Sequence, residues 1–142
     1  MGLVRRRAAQ GGSDRWPDVE LRAYGTGQGA SRRKQIVVGP DDGARNFAMR
    51  VFQLAPGASS NEEEHPHDHG VLIMPGRARV LLGQETHEVG PGDVVWVSPN
   101  ERHRFDCVGP EMLQFLCVVP GWGEPDARNP LPVPVDESLK TV

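Results

Sequence analysis

Turn-forming residues divide most of this chain into short segments. The sequence holds 13 Pro and 17 Gly, which separate stretches rich in Val, Leu and Phe. Many short apolar stretches between Gly and Pro turns are typical of a sheet protein rather than a helical bundle. The predicted strands cover residues 19–24, 34–38, 46–54, 71–74, 78–82, 85–89, 94–97, 102–108 and 112–119. This pattern predicts an all-β chain that closes into an antiparallel barrel or a jelly roll.

The length of 142 residues suits one domain with a single core. Residues 1–15 are polar and Gly-rich, so we expect a disordered basic arm there. The barrel is predicted to span residues 16–120. Residues 121–142 are rich in Pro and charge and predict a tail that lies over the surface or trails away from it.

Charge and hydropathy exclude several classes of partner. The net charge of −3 is mild, and the Arg triplet at 5–7 is too short to predict a nucleic-acid partner. No apolar run is long enough to span a membrane, and no apolar signal-peptide core follows the Arg triplet. We therefore expect a cytoplasmic protein. Cys107 and Cys117 lie in apolar strand-like stretches, and we expect reduced buried thiols there rather than a disulfide.

The most chemically informative segment is a histidine cluster that follows three glutamates. His65, His67 and His69 fall within five residues, directly after residues 62–64. If the segment is a strand, these three side chains and Glu63 lie on one face. Imidazole and carboxylate groups bind divalent transition metals. The alternative interpretation is a solvated acidic and histidine-rich loop with incidental metal affinity.

A barrel brings ligands together that are distant in sequence, because inward side chains of neighbouring strands converge. His103 lies on the predicted strand 102–108 after a tight turn, which makes it the natural fourth ligand. His87 lies in a charged hairpin, and we expect it to be exposed. Trp96, Phe105 and Phe115 are predicted to line the inner wall.

Two glycine-bracketed patterns carry a resemblance to a known family. Five residues separate Gly57 from Glu63, and six residues separate His69 from Gly76. The first of the two signature motifs of the cupins, a superfamily of small β-barrels, has a similar spacing.

The second cupin motif is similar to a later stretch of the chain. Gly92 is followed by five residues, then Ser98-Pro99-Asn100, two more residues and His103. The resemblance covers residues 46–120 and implies a jelly-roll barrel with one metal ion. By this resemblance the metal ligands are Glu63, His65, His69 and His103.

The chain looks closest to the small manganese-binding cupins with four histidine ligands. They too have His where most cupins have the Glu of the first motif, as His69 does here. Stretches typical of them are similar to residues 47–50 and 115–117. The chain departs from their pattern at Glu63, which stands in place of a histidine, and at Cys107, which stands in place of an asparagine.

The ligand set keeps two alternatives open. Glu63 could supply one carboxylate to the metal, or it could point away and leave a site of three histidines. His67 occupies a position where the family has no ligand, so we expect it to line the pocket. The ion is predicted to be Mn or Fe, with Zn or Ni as alternatives.

The resemblance implies several activities, because one fold supports many chemistries. We expect a metal-dependent oxygenase acting on a small organic substrate. The alternatives are a Lewis-acid isomerase, lyase or polyketide-type cyclase, and a non-catalytic module that binds a small molecule. Small cupins commonly form homodimers, and residues 19–24 could cross to the partner barrel.

Overall fold

The computed structural model describes residues 1–8, 15–24 and 31–134. Its strands are antiparallel and form two sheets, with the order β1-β2-β3-β9-β4-β7 in the larger and β6-β5-β8 in the smaller. The strands are β1 (Arg22–Ala23), β2 (Arg32–Val38), β3 (Ala48–Leu54), β4 (His69–Ile73), β5 (Ala78–Leu82), β6 (Glu85–Val89), β7 (Val94–Val97), β8 (His103–Cys107) and β9 (Leu113–Val119). Short 3-10 turns cover Pro40–Asp42 and Gly121–Gly123. The predicted all-β fold of antiparallel strands is confirmed.

The last strand lies in the middle of the larger sheet. β9 pairs with β3 along seven residue pairs, from Ala48 opposite Val119 to Leu54 opposite Leu113. Its other edge pairs with β4, which continues to β7. The alternate residues Leu113, Phe115, Cys117 and Val119 of β9 are buried in the core. This position places the end of β9 beside the start of β4, with Val118 opposite Gly70.

Aromatic rings stack through the core. Phe115 has one ring neighbour on each side, Phe52 at 5.2 Å and Phe105 at 4.6 Å between ring centroids. Tyr24 meets the Phe52 ring edge-on at 4.9 Å. Aromatic pairs at such separations add stability beyond the area that they bury. The expectation that Phe105 and Phe115 line the inner wall is confirmed.

One local prediction, the inward position of Trp96, is wrong, and the histidine segment is not one continuous strand. Glu63 makes an isolated bridge to His103, and β4 begins only at His69, so the condition under which Glu63 and the three histidines would share a strand face is not met. The bend between them includes Pro66, which has no backbone N–H to donate. Trp96 is 61% exposed rather than inward, because Val95 and Val97 take the inward positions of β7.

The segment after β9 folds back over one end of the barrel. We call residues 120–134 the C-terminal strap. Backbone N–H groups of Arg128 and Asn129 donate to the Asp41 carboxylate at 3.0 and 2.7 Å, which fixes the strap beside the turn after β2. Residues 135–142 of the predicted tail lie outside the described residues.

The N-terminal segment also contacts the barrel. Arg5 donates to the carbonyl oxygen of Val37 and to the Asp42 carboxylate. Residues 9–14 lie outside the described residues, so the disordered arm over residues 1–15 stays a prediction. Within the described part of the chain, no helix is both long and apolar enough to cross a membrane. Cys107 and Cys117 are both buried and free, as expected.

Candidate metal centre

Three histidines from separate parts of the chain meet at one end of the barrel. His69 is the first residue of β4, His103 is the first residue of β8, and His65 lies in the bend before β4. One nitrogen atom from each ring lies within 4.8 Å of the other two. The ring centroids are 4.8 Å apart for His69 and His103, and 5.3 Å from His65 to each of them. Three of the four predicted ligands therefore form a cluster that could hold one metal ion.

His69 has a nitrogen atom available for a ligand. Its Nδ1 lies 3.3 Å from the Cys117 sulfur, and its Nε2 is buried with no hydrogen-bond partner among the described residues. A buried polar atom without a partner is costly, and a bound metal would remove that cost. Burial, followed by the nearby His103, lowers the pKa of His69 to about 2, so its imidazole is neutral at physiological pH. Neutral imidazole is the form that binds metals.

His103 and His65 complete the cluster. His103 Nδ1 lies 2.9 Å from the carbonyl oxygen of Glu101, so Nδ1–H donates there and Nε2 remains free for a ligand. Burial lowers the pKa of His65, while the charge of Glu63 partly opposes that shift. His65 is the most exposed of the three rings, with 27% of its side chain accessible. The three rings thus offer one nitrogen donor each to a common point.

The structure places Glu63 beside the histidines. Its Oε2 lies 3.5 Å from His65 Nε2, and 39% of the side chain is exposed. Its backbone N–H donates to the carbonyl oxygen of His103 at 3.1 Å, which fixes the main chain next to the cluster. The carboxylate is near enough to join the site after a side-chain rotation. Its role as a ligand stays a prediction.

The other two histidines follow the sequence expectations. His67 is 9% exposed and stacks on His65 with 4.9 Å between ring centroids. Burial is also the main reason that the pKa of His67 falls to about 4. The side chain of His87 is 49% exposed on β6. His67 therefore lines the cavity, and His87 lies away from the cluster.

A cavity of about 370 Å³ opens beside His65, one of the three clustered rings. His65 and His67 lie on one side of it, and Trp122 of the C-terminal strap lies on another. A smaller pocket of about 40 Å³ continues towards His69 and His103, between the rings of the aromatic core. The volume of the larger cavity is within the range of small-molecule sites.

The C-terminal strap contributes functional residues that the sequence did not identify. Trp122 meets His67 edge-on at 5.3 Å, and a side chain at Gly123 would lie 3.0 Å from the same ring. Glu124 is fully buried and accepts hydrogen bonds from two buried cations, Lys34 and Arg50. The Pro-rich composition of the strap did not predict that Glu124 is buried. The only available signal was an aromatic residue and an acid just after the last strand.

Comparisons with known proteins agree with this architecture. The family model for the cupin domain matches residues 50–119. A 1-methylthio-D-xylulose 5-phosphate methylsulfurylase from Rhodospirillum rubrum is 34% identical over 108 residues, which cover 74% of this chain and 68% of that protein.

Solved structures extend the similarity to nearly the whole chain. A cupin-2 domain protein from Rhodospirillum rubrum has a TM-score of 0.69 and 29% identity, covering 96% of this chain and 88% of its own. A polyketide cyclase from Streptomyces resistomycificus has a TM-score of 0.70 and 24% identity, covering 94% and 88%, and shows the fold alone. The fold, the histidine cluster and the sequence match to the methylsulfurylase lead to one conclusion: this chain belongs to the cupin family.

Proposed function

We propose that this protein is a mononuclear metal enzyme that acts on a small organic substrate, and that it is an oxygenase. The observation that carries the proposal is the cluster of His65, His69 and His103 beside a cavity of about 370 Å³. Three imidazole nitrogen donors suit a divalent transition metal and would leave coordination positions for other groups. Glu63 is the proposed fourth ligand.

The ion decides the class of reaction. A bound Mn or Fe ion would supply oxygen chemistry, whereas Zn or Ni would supply Lewis acidity. The residues of the chain hold the substrate beside the cluster and exclude water: His67 and Trp122 cover one side of the cavity, and Phe52 another. A substrate that can offer two oxygen atoms to one ion, such as a diketone or its enol form, would suit a site of this kind.

The second candidate is a Lewis-acid isomerase, lyase or cyclase. The relative of 34% identity is named as a methylsulfurylase for a methylthio-substituted ketose phosphate, a molecule with a carbonyl group. A polarised carbonyl is the common requirement of that class. The third candidate is a non-catalytic binding module. We also retain a homodimer and a cytoplasmic location as proposals.

Elemental analysis of untagged protein, purified without added metal, separates these candidates. Near one equivalent of Mn or Fe would support the oxygenase and lead to oxygen-consumption assays with enols and diketones. Near one equivalent of Zn or Ni would favour the second candidate. A protein that binds no metal after reconstitution would contradict both enzyme proposals and leave the binding module.

Substitution of the histidines tests the site itself. We expect His65→Ala and His103→Ala each to weaken metal binding by more than about 100-fold, because the loss of a ligand costs more than the loss of its hydrogen-bond partner. Circular dichroism should show a folded barrel in both. His87→Ala is the matched control, since that ring is exposed on β6. Full metal occupancy in both variants would contradict the assignment.

Glu63→Gln tests the fourth ligand. If the carboxylate binds the metal, we expect about tenfold weaker binding, because a neutral amide replaces a charged donor. Glu62→Gln is the neighbouring control, because the Glu62 carboxylate instead pairs with Arg104 at 2.6 Å. Equal affinities for the two variants would leave a site of three histidines.

A further inference from the structure

Both cations in the wall of the cavity are already paired within the chain. Lys34 and Arg50 line the cavity and are 3% and 5% exposed. Lys34 Nζ lies 2.8 Å from Glu124 and 2.7 Å from Asp126, while Arg50 Nη1 lies 2.9 Å from Glu124. Neither cation therefore offers an uncompensated positive charge to a ligand.

Glu124 holds this arrangement together. One carboxylate oxygen accepts hydrogen bonds from both cations, and the other accepts the backbone N–H of Asp126. The residue is 1% exposed, so its charge is not screened by water. The strap thus inserts an anion at the place where an anionic substrate would need a cation.

The charges beside the cavity are paired. Lys34 and Arg50 supply two positive charges to its wall and Glu63 supplies one negative charge. Glu124 and Asp126 neutralise the two cations, and Asp126 also lies 3.8 Å from Arg22. A phosphate or carboxylate group beside Lys34 and Arg50 would lose its hydration without gaining an unpaired cationic side chain.

The remaining walls are apolar and largely aromatic. Tyr24, Phe52 and Trp122 present rings to the cavity, and Pro66, Pro125 and Val133 present aliphatic surface. Aromatic side chains provide large apolar contact areas and favour offset or edge-on contact with another ring. The cavity therefore matches a ring better than a flexible polyol.

We propose that the cavity binds an uncharged aromatic substrate and that Glu124 is the specificity-determining residue that excludes phosphorylated ones. This inference rests on the proposed function, because it names the substrate class of the same site. By this inference, the chain differs in its substrate class from the methylsulfurylase, whose name specifies a 5-phosphate substrate. Glu124 acts by neutralising Lys34 and Arg50.

Three probes that share an α-hydroxyketone group test the preference. They are 2-hydroxyacetophenone, which adds a phenyl ring; dihydroxyacetone phosphate, which adds a phosphate; and dihydroxyacetone, which adds neither. Binding is measured by calorimetry on the full chain, both metal-free and loaded with Mn. We expect 2-hydroxyacetophenone to bind about tenfold or more tightly than either other probe, since burial of a phenyl ring contributes more than this factor requires.

Glu124→Gln tests the role of the strap carboxylate. It leaves Arg50 without a carboxylate partner, while Lys34 keeps Asp126. We therefore expect affinity for dihydroxyacetone phosphate to rise about tenfold or more, the value of one charge-assisted hydrogen bond. Affinity for dihydroxyacetone should stay the same. Glu88→Gln is the matched control, because that carboxylate pairs with Arg79 on the exposed surface of the smaller sheet.

A second variant covers the case in which Glu124→Gln does not fold. Asp126 is 41% exposed and pairs with Lys34 but not with Arg50. Asp126→Asn should therefore raise the affinity for the phosphate probe in the same direction by a smaller factor. Thermal unfolding followed by circular dichroism establishes which variant is folded.

The outcomes are distinct from those of the metal experiment. A preference for 2-hydroxyacetophenone in metal-free protein supports the inference even if the metal assignment fails. The inference is overturned if wild-type protein binds dihydroxyacetone phosphate as tightly as 2-hydroxyacetophenone, or binds neither. It is also overturned if the folded variant does not gain affinity for the phosphate probe.

Discussion

Cys117 contacts two groups at the candidate metal centre. Its sulfur lies 3.3 Å from His69 Nδ1 and 3.2 Å from Arg50 Nη2. If His69 donates its Nδ1–H to the sulfur, Nε2 carries the lone pair and points to the cluster. Hydrogen-bond partners of this kind fix the tautomer of a metal-binding histidine. Cys117 is therefore a positioning residue in the core.

Substitution of Cys117 should change metal affinity without removing a ligand. We expect Cys117→Val to weaken binding by about 10- to 100-fold, because valine cannot accept the Nδ1–H of His69. Cys117→Ser keeps an acceptor and should bind metal within about threefold of wild type. Competition with a chelator of known affinity measures the difference.

Cys107→Val is the matched control for this prediction. The Cys107 thiol is also buried, but it donates to the carbonyl oxygen of Glu111 at 3.2 Å instead of contacting the histidines. Its metal affinity should equal that of wild type. Equal affinities for Cys117→Val and Cys107→Val would show that the sulfur does not position His69.

The sequence predicts the histidine cluster but not its partners. The spacing of His65, His69 and His103 is local to two motifs, so a resemblance is enough to select them. The contact of Cys117 with His69 joins residues 48 positions apart across β4 and β9. A local sequence pattern cannot predict a contact that depends on the order of strands in the sheet. The sequence therefore predicts only that Cys117 is a buried thiol.

At the level of elements, the glycine turns between strands have backbone requirements that strand propensity does not describe. Gly76, between β4 and β5, has a φ of +93°, and a side chain there would lie 2.6 Å from the Met112 carbonyl oxygen. Gly92, before β7, has a φ of +87°, with open space around the same position. Both glycines adopt a left-handed backbone that disfavours other residues, but only Gly76 is also in close contact with backbone.

Alanine substitution of the two glycines should separate these effects. Gly92→Ala should lower the free energy of unfolding by about 1–2 kcal/mol, the cost of the left-handed conformation. Gly76→Ala should cost about 2 kcal/mol more, because the backbone near Met112 must move. Guanidinium titration measures both. A smaller loss for Gly76→Ala than for Gly92→Ala would contradict the close contact.

Strands were easier to predict than the segments that join them. The apolar run of β7, the alternation of β8 and the turns around them predict both strands within a residue or two. Residues 64–68 and the C-terminal strap have no period, and they are fixed by long-range contacts such as Glu124 with Lys34. The Pro-rich and charged composition of the strap therefore did not predict these long-range contacts.

At the scale of the whole molecule, the barrel and the strap have different structural roles. The stacked core rings hold the sheets together behind the histidines. The strap closes one side of the cavity and neutralises its cations. The candidate metal ligands come from the barrel, whereas the proposed selectivity comes from a segment outside the region that matches the family model, which ends at residue 119.

Metal binding should therefore appear as a change in global stability. A ligand that binds only the folded state stabilises it by about 2.7 kcal/mol at a free concentration of 100 times its Kd. For a chain of 142 residues, that corresponds to a rise in Tm of about 9 °C. Differential scanning calorimetry of metal-free and reconstituted protein measures this rise.

The His103→Ala variant identifies the origin of that rise. The His103 ring is a member of the cluster, so without it the same metal concentration should leave the Tm nearly unchanged. His87→Ala should show the full rise, because the exposed ring lies away from the cluster. An equal rise in all three proteins would mean that the ion binds elsewhere, since stabilisation by a ligand depends only on its affinity for the folded state. An unchanged Tm in wild-type protein would mean that the cluster does not hold the ion.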